Sequence, residues 1–299
     1  MSITKEQLGA VGIWTPASDA MSSSQAGEMA QLIEELGFPT MWIPETVGRD
    51  PFVTATLLLE RTTTLQLATG IANIYARDAV TMANTQRAIE EAFPGRFLLG
   101  LGVSHEHLVD RVRKHDYSKP YSRMVEYLDE MDASVFRAVG PTELPARVLA
   151  ALGPKMLALA GTAAQGAHPY FVPVEHTAIA REALGEDPIL APEQMVVLDT
   201  DPTSARETAR TNMAVYLRAP NYRNNLLRLG FSEDDLSDGG SDRLVDAIVA
   251  WGDVDAAVER VTAHHDAGAD HVAVQILVPG IPQLPDGQLR ELAAGLLTS

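Results

Sequence analysis

The chain alternates between short apolar runs and longer stretches in which apolar residues recur at helical spacing. Two of the apolar runs, Leu65–Asn73 and Arg96–His105, end in small residues that polar residues follow. Short continuous apolar runs are typical of parallel strands buried on both faces, whereas the helical spacing predicts amphipathic helices. We therefore expect parallel strands that are joined by crossover helices.

The pattern assigns eight strands, each followed by a helix, over 299 residues, which predicts a single-domain α/β protein with a (β/α)8 TIM barrel fold. A doubly wound sheet is the main alternative, but its dinucleotide-binding form needs a glycine-rich loop after the first strand, and residues 15–18 contain no glycine. A polar, glycine-rich stretch at approximately 218–250 is predicted to be an inserted surface excursion before the last strand. The predicted strands are Ala10–Trp14, Thr40–Pro44, Leu65–Ile71, Phe97–Leu101, Arg147–Leu152, Ala167–Val172, Gln194–Asp199 and Asp270–Leu277.

Composition excludes several classes of function. The chain contains no cysteine, so disulfides, thiolate metal sites and a cysteine nucleophile are excluded. The net charge of −17 argues against a nucleic-acid partner. No apolar run approaches the ~20 residues of a membrane span, and the amino-terminal sequence lacks the pattern of a signal peptide, so we expect a cytoplasmic protein. His105 and His107 alternate in a loop without a third ligand, so no metal site is predicted.

Candidate reactive groups follow the predicted strands, because a barrel carries its site at the carboxyl ends of its strands. His105 comes after small residues that would let a flat ligand approach, and imidazole titrates near neutrality, although a polar loop histidine is the alternative. Glu45 follows the second strand. Gly153 precedes a helix whose first N–H groups favour an anion, and Lys155 would add charge, although an ordinary helix start is the alternative.

Six segments together resemble the luciferase-like monooxygenase superfamily, specifically its coenzyme F420-dependent oxidoreductase branch in actinobacteria. The resemblance runs along the whole chain and implies a (β/α)8 barrel that binds F420 at the carboxyl ends of its strands. The segments are Thr40–Glu45 (TMWIPE), Leu65–Ala79 (LQLATGIANIYARDA), Arg96–His105 (RFLLGLGVSH), Ala150–Tyr170 (AALGPKMLALAGTAAQGAHPY), Ala191–Val197 (APEQMVV) and Ala267–Leu277 (AGADHVAVQIL).

The resemblance also implies the cofactor-binding residues. A cis peptide bond at Gly70–Ile71 would back the deazaflavin ring, and Asn73 would lie close to the ring. The residues after strand four, Val103, Ser104 and His105, would line the same pocket. The phosphate of the cofactor side chain would contact Leu152, Gly153, Lys155 and Met156.

One departure from the family pattern shapes the predicted mechanism. Related sugar-phosphate dehydrogenases carry an Asp-His pair after strand two and a Glu after strand four, whereas this chain has Glu45-Thr46 and His105 there. A sugar phosphate is therefore not the expected substrate. His105 is predicted to be the catalytic acid or base, and Glu45 to fix polar edges of the ring or substrate.

The predicted function is hydride transfer between F420 and a small organic substrate. An FMN-dependent luciferase-like monooxygenase remains an alternative, because the strand pattern does not separate the two cofactors. A non-catalytic barrel that binds a flavin-like ligand is a further alternative, which the missing histidine after strand two favours. The resemblance implies a homodimer, because members of the family are often dimers.

Overall fold

The computed structural model describes residues 3–280 and 284–297, and within them all paired strands are parallel. The fold is α/β, with one curled parallel sheet. The strands are β1 (Val11–Trp14), β2 (Thr40–Ile43), β3 (Gln66–Thr69), β4 (Ala72–Asn73), β5 (Phe97–Gly102), β6 (Arg147–Leu149), β7 (Gly166–Ala167), β8 (Ile189–Leu190), β9 (Glu193–Leu198), β10 (Val249–Gly252) and β11 (Val272–Ile276).

A helix follows most of the strands, as the hydrophobic pattern predicts, but β3 and β4, like β8 and β9, are consecutive without a helix between them. A π-helical turn covers His107–Val112, and 3₁₀ turns cover Ala17–Ala20 and Tyr216–Arg218. The α-helices are α1 (Lys5–Leu8), α2 (Ser23–Glu35), α3 (Pro51–Arg61), α4 (Ala79–Ala92), α5 (Pro120–Asp132), α6 (Pro154–Ala163), α7 (Val174–Leu184), α8 (Pro202–Met213), α9 (Pro220–Arg228), α10 (Asp242–Ile248), α11 (Val254–Asp266) and α12 (Asp286–Leu296).

The neighbouring strands of the sheet form one continuous order. It runs β10-β9-β11-β1-β2-β3-β5-β6-β7-β8, and β4 pairs with β5. Only Ala191 and Pro192 separate β8 from β9 in the chain, and β8 pairs with β7 while β9 pairs with β11. The carboxyl ends of β1, β2, β3, β5 and β6 therefore face one rim of the curled sheet, where the loops that follow them meet.

Most helix starts agree with the sequence because local capping groups fix them. Asp50 accepts hydrogen bonds from the N–H groups of Phe52 and Val53 at the start of α3, and Asp201 caps α8 in the same way. Pro51 and Pro202 occupy the first helical position of these helices, where no N–H is needed.

One predicted helix is wrong at its end. The pattern predicts Tyr121–Val139, but α5 ends at Asp132. Arg87 donates to the carbonyl and hydroxyl oxygens of Ser134 at 3.2 and 2.9 Å, which holds this backbone in a non-helical turn. Val135 and Val139 continue the apolar spacing in the sequence, yet both are exposed. Apolar residues at helical spacing do not extend a helix where they have no protein surface to pack against.

The stretch at 218–250 contains more buried residues than its polar composition predicts. It contains α9 and α10, and Tyr222 and Leu226 are buried from one face of α9, as are Leu244 and Val245 of α10. The spacing of four residues between Tyr222 and Leu226 is the signal of this buried face. That the stretch is an insertion stays a prediction. No helix among residues 3–280 and 284–297 has the length and apolarity that crossing a membrane requires.

Candidate active site

A cavity of about 280 Å³ lies at the carboxyl ends of the strands. Eight of the eleven residues that the sequence predicts for the site line it, whereas Asn73, Gly153 and Lys155 do not. Because the eight come from four different strand ends, the curled sheet brings together residues that are far apart in the chain. The eight are Glu45, Gly70, Ile71, Val103, Ser104, His105, Leu152 and Met156.

The wall at the end of β3 is built around the peptide bond Gly70–Ile71, which is cis. The indole N–H of Trp14 donates to the Gly70 carbonyl at 3.1 Å, so β1 holds this peptide from the side. Ile71 packs directly on Gly102, where a Cβ would lie 2.5 Å from the Ile71 side chain. A larger residue at position 102 would therefore push the Ile71 side chain out of the wall.

Glu45 is held in place by ionic and hydrogen-bonding partners. It accepts a hydrogen bond from the Asn73 N–H at 2.7 Å, and Arg77 donates to both of its carboxylate oxygens at 2.9 and 2.6 Å. Only 5% of the Glu45 side chain is exposed. Asn73 in turn accepts from the Tyr75 N–H, so it lies in the loop behind the wall. Glu45 therefore joins the loops after β2 and β3, although one part of it still reaches the cavity.

We expect Glu45→Gln to lower the free energy of unfolding by about 3 kcal/mol, because Asp50 is then the one charged partner, among the described residues, of the largely buried Arg77 guanidinium. Urea unfolding of the purified variant measures this. Glu130→Gln, which removes a half-exposed partner of Arg123, is the matched control and should cost less than about 1 kcal/mol. Wild-type stability combined with lost turnover would instead identify Glu45 as a catalytic group.

His105 lies at the mouth of the cavity, directly after Ser104, whose φ is +58°. Its Nδ1 is 3.3 Å from Oδ1 of Asn221, and its ring contacts those of Tyr222 and His107. Burial lowers the pKa of His105 below its ordinary value, while the Asn221 contact opposes the shift. When Asn221 accepts from Nδ1, Nε2 becomes the basic nitrogen, so His105 can take up a proton at that atom.

Four aromatic side chains, Trp14, Tyr170, Tyr216 and Tyr222, form an aromatic wall of the cavity. The Tyr170 hydroxyl donates to Gln275 Oε1 at 2.8 Å and lies 2.7 Å from the Tyr216 hydroxyl. Burial raises the pKa of Tyr216 to about 12 and that of Tyr170 well above its ordinary value, so both phenols stay neutral. This wall is apolar apart from its hydroxyl groups, and it suits a flat, uncharged ring.

His168 is a buried histidine at the same cavity. It stacks on Trp42 at 4.2 Å, and its Nδ1 donates to the Ala191 carbonyl at 2.6 Å. Burial lowers its pKa to about 4, so the ring is neutral at pH 7. Nε2 has no hydrogen-bond partner among the described residues, which leaves one unused acceptor beside Gly70.

The start of α6 presents free N–H groups and a cation. Gly153 precedes the helix, and no side chain caps it. The guanidinium of Arg228, from α9, lies so close that a Cβ on Gly153 would be 3.0 Å from Nη1. Lys155 is exposed and is absent from the cavity lining. The cation at this helix start is therefore Arg228, which sequence reasoning missed.

Asn221, Tyr222 and Arg228 all come from α9, inside the predicted surface excursion. Because that stretch is polar in composition, the sequence does not predict that these residues reach the site. The spacing between Tyr222 and Leu226 is the signal in the sequence that indicates a buried face. Among residues 3–280 and 284–297, no group of three or more His, Asp or Glu side chains is placed to hold a metal ion.

A curled parallel sheet with a ligand-sized cavity at its strand ends defines a large class of α/β enzymes. The family described as luciferase-like monooxygenase matches residues 8–271, and the chain belongs to that family. This match confirms the family that the sequence segments indicate.

Two relatives and one solved structure illustrate the similarity. A 5,10-methylenetetrahydromethanopterin reductase from Methanolobus tindarius is 28% identical over 62% of this chain, and the alignment spans 65% of that reductase. A Mycobacterium tuberculosis protein, provisionally named a coenzyme F420-dependent oxidoreductase, is 24% identical over 96% of this chain and 97% of its own length. An F420-dependent secondary alcohol dehydrogenase, solved with an F420-acetone adduct, superposes with a TM-score of 0.78 at 13% identity, over 96% of this chain and 98% of that one.

Proposed function

We propose that the protein is an F420-dependent oxidoreductase that transfers a hydride between the deazaflavin and a small organic substrate. The observation that carries this proposal is the shape and polarity of the cavity. It has an apolar wall at Gly70–Ile71, and Leu152 and Met156, which also line it, flank the start of α6 where Arg228 lies. A flat ring with an anionic side chain fits these features. The names of the mycobacterial relative and of the alcohol dehydrogenase support F420 as that ligand.

We also infer that the sheet closes as a single-domain (β/α)8 barrel. The continuity of β8 and β9 through Ala191 and Pro192 supports closure, because each part pairs with a different end of the strand order. A homodimer in the cytoplasm, with a small-molecule substrate and no nucleic-acid or membrane partner, is the remaining part of this proposal.

Each group of site residues has its own proposed role. F420, when bound, supplies the hydride-carrying deazaflavin. Gly70 and Ile71 support one face of the ring site, and the hydrogen bond from Trp14 to Gly70 keeps that wall in place. His105 exchanges a proton with the substrate at Nε2. The α6 N–H groups and Arg228 hold the phosphate of the cofactor side chain. Glu45 fixes the loops around the site.

Titration of the purified protein with F420 and with FMN, followed by fluorescence, tests this proposal. We expect tighter binding of F420, and a loss of affinity of about tenfold in Arg228→Gln, because a charged hydrogen bond to the phosphate is removed. Lys155→Gln should change the affinity much less, since Lys155 is exposed. Exposed Arg290→Gln on α12 is the control for the loss of one positive charge.

Other outcomes of the same titration favour the alternatives. Tighter binding of FMN than of F420 would replace the proposal with an FMN-dependent monooxygenase. Bound F420 that no donor or acceptor ever reduces or oxidises would favour the non-catalytic ligand-binding barrel.

A further inference from the structure

A second cavity, of about 510 Å³, adjoins the active-site cavity and shares Glu45 and Thr46 with it. It lies between the loops after β2 and β3 and the segment that follows the π-helical turn. Three arginines, Arg49, Arg77 and Arg113, line it, and we call it the arginine cavity. The lining of the active-site cavity contains no lysine or arginine among the described residues, so the two cavities differ sharply in character.

The charges within the arginine cavity do not cancel. Its two lining carboxylates, Glu45 and Asp50, both pair with Arg77. Arg113 reaches Glu45 only at 3.7 Å and donates to the Thr46 carbonyl at 3.2 Å, in both cases through Nη2. Nε and Nη1 of Arg113 have no acceptor in the described part of the chain.

In the described part of the chain, the Arg49 guanidinium likewise has no carboxylate partner. That group donates to two neutral oxygens, the Ser23 hydroxyl at 3.0 Å and the Met21 carbonyl at 3.4 Å. The nearby Asp19 accepts from the backbone N–H of Arg49, and no ion pair joins it to the guanidinium within residues 3–280 and 284–297. His115 lines the same space. With Asp19 counted, three carboxylates lie near three arginines, so the notable feature is the set of guanidinium N–H donors on Arg49 and Arg113 that no carboxylate of the described residues accepts.

We propose that the arginine cavity binds a carboxylate or phosphate group of the substrate while the reacting carbon of that substrate lies in the active-site cavity. This inference rests on the proposed function and adds the substrate class, namely a small molecule with an uncharged reactive part and an acidic end. Guanidinium groups bind both kinds of anion through paired N–H donors. Thr46 lies at the border of the two cavities, so one short molecule can occupy both.

The acidic side chain of the cofactor is a second possible source of the same anionic chemistry. We assign that side chain to the α6 start, because Leu152 and Met156 line the active-site cavity next to Gly153 and Arg228. Arg228 is absent from the lining of the arginine cavity. The two anion sites can therefore be tested separately by substitution.

Isothermal titration with inorganic phosphate, on the full chain saturated with F420, tests the inference. We expect saturable binding to the wild type, with affinity about tenfold lower in Arg113→Gln and lower still in Arg49→Gln/Arg113→Gln, because charged hydrogen bonds to the anion are lost. Arg111→Gln is the matched control, since Arg111 is exposed, lies two residues before Arg113 and does not line the cavity. Thermal unfolding of each variant checks that it is folded.

Three results would overturn the inference. The first is no saturable phosphate binding to the wild type, and the second is equal binding to the wild type and Arg113→Gln. The third is a loss of F420 affinity in Arg113→Gln together with blocked phosphate binding once F420 is present, because the cavity would then hold the cofactor. If F420 itself does not bind, the proposed function fails, but phosphate titration of unliganded Arg228→Gln still tests the arginine cavity alone.

Discussion

His105→Gln is expected to lower kcat by a factor of about 10²–10⁴ while the Kd for F420 stays near the wild-type value. This factor is the usual contribution of a positioned acid or base. His105 lines the cavity, and its contacts are Asn221 and the rings of Tyr222 and His107, whereas the phosphate would bind at Gly153 and Arg228. Steady-state rates and a fluorescence titration of the same preparation separate the two effects.

The pH dependence of kcat/KM gives a second readout that a purely structural role would not change. Burial holds the pKa of His105 below its ordinary value of 6.5, so a step that needs the neutral imidazole should lose rate only below that pH. In Asn221→Asp a carboxylate replaces the amide beside Nδ1 and stabilises the protonated ring, so the acidic limb should move to higher pH.

His107→Gln is the matched control for both measurements. His107 stacks on His105 at 6.0 Å but does not line the cavity, so its replacement should leave most of the turnover intact. Wild-type turnover in His105→Gln would remove His105 from the chemistry and move the search for the acid or base to the hydroxyl groups of the aromatic wall.

The sequence predicts the longer strands of this fold well, because they carry short apolar runs that are buried almost completely. The predicted strand Ala167–Val172 is wrong, since β7 covers Gly166–Ala167, and the pattern misses the short strands β4, β8 and β10. β1, β2 and β5 have every residue buried, and their observed bounds lie within one residue of the predicted ones. The site residues that directly follow these strands, such as Glu45 and His105, were found because the end of a strand fixes their position in space. At these strand ends, the place of a residue in the sequence is enough to predict where it lies in the fold.

The residues that were missed reach the site from a helix whose packing the sequence does not specify. Arg228 and Asn221 lie on α9, and their contacts with Gly153 and His105 span 75 and 116 positions in the chain. No local pattern encodes contacts of that range. For Glu45 the sequence predicts the position correctly, but it does not predict the ionic partner Arg77, which lies 32 residues away in the chain. A charged residue at a strand end can be paired and buried in the fold, as Glu45 is, and pairing changes its role.

Buried histidines make the fold sensitive to acid, and this is the largest effect that we expect on stability. Burial lowers the pKa values of His264 and His271 to about 3 and that of His168 to about 4. His271 accepts from the Trp42 indole N–H at 3.0 Å and donates to the Gly9 carbonyl at 2.8 Å, so its neutral form satisfies both neighbours. The unfolded chain takes up these protons near pH 6.5, whereas the folded chain does not.

The sign of the effect follows from these proton counts. The histidine contribution is complete above pH 6.5 and is lost as the pH falls toward 4, by about 1.4 kcal/mol per histidine and pH unit, or about 10 kcal/mol for the three at pH 4. Glu193 acts in the opposite direction, because burial raises its pKa to about 8 and the folded chain keeps its proton. Between pH 7 and pH 4.5 that group restores about 3 kcal/mol. Over the same range the three histidines lose about 8 kcal/mol, so the net loss is about 5 kcal/mol, which is comparable to the whole stability of a marginally stable domain.

Urea unfolding at a series of pH values between 7 and 4.5 measures this balance. The free energy of unfolding should fall below pH 6, and His168, His264, His271 and Glu193 together contribute a slope of about two protons per molecule. Glu193→Gln removes the opposing group without adding a charge, so its slope should be steeper by about one proton over the same range. A free energy that stays constant from pH 6.5 to 4.5 would contradict the assignment, because it would mean that the folded chain protonates these histidines in place. The difference between the two slopes measures the contribution of Glu193 alone, because the wild type and the variant share every other titrating group.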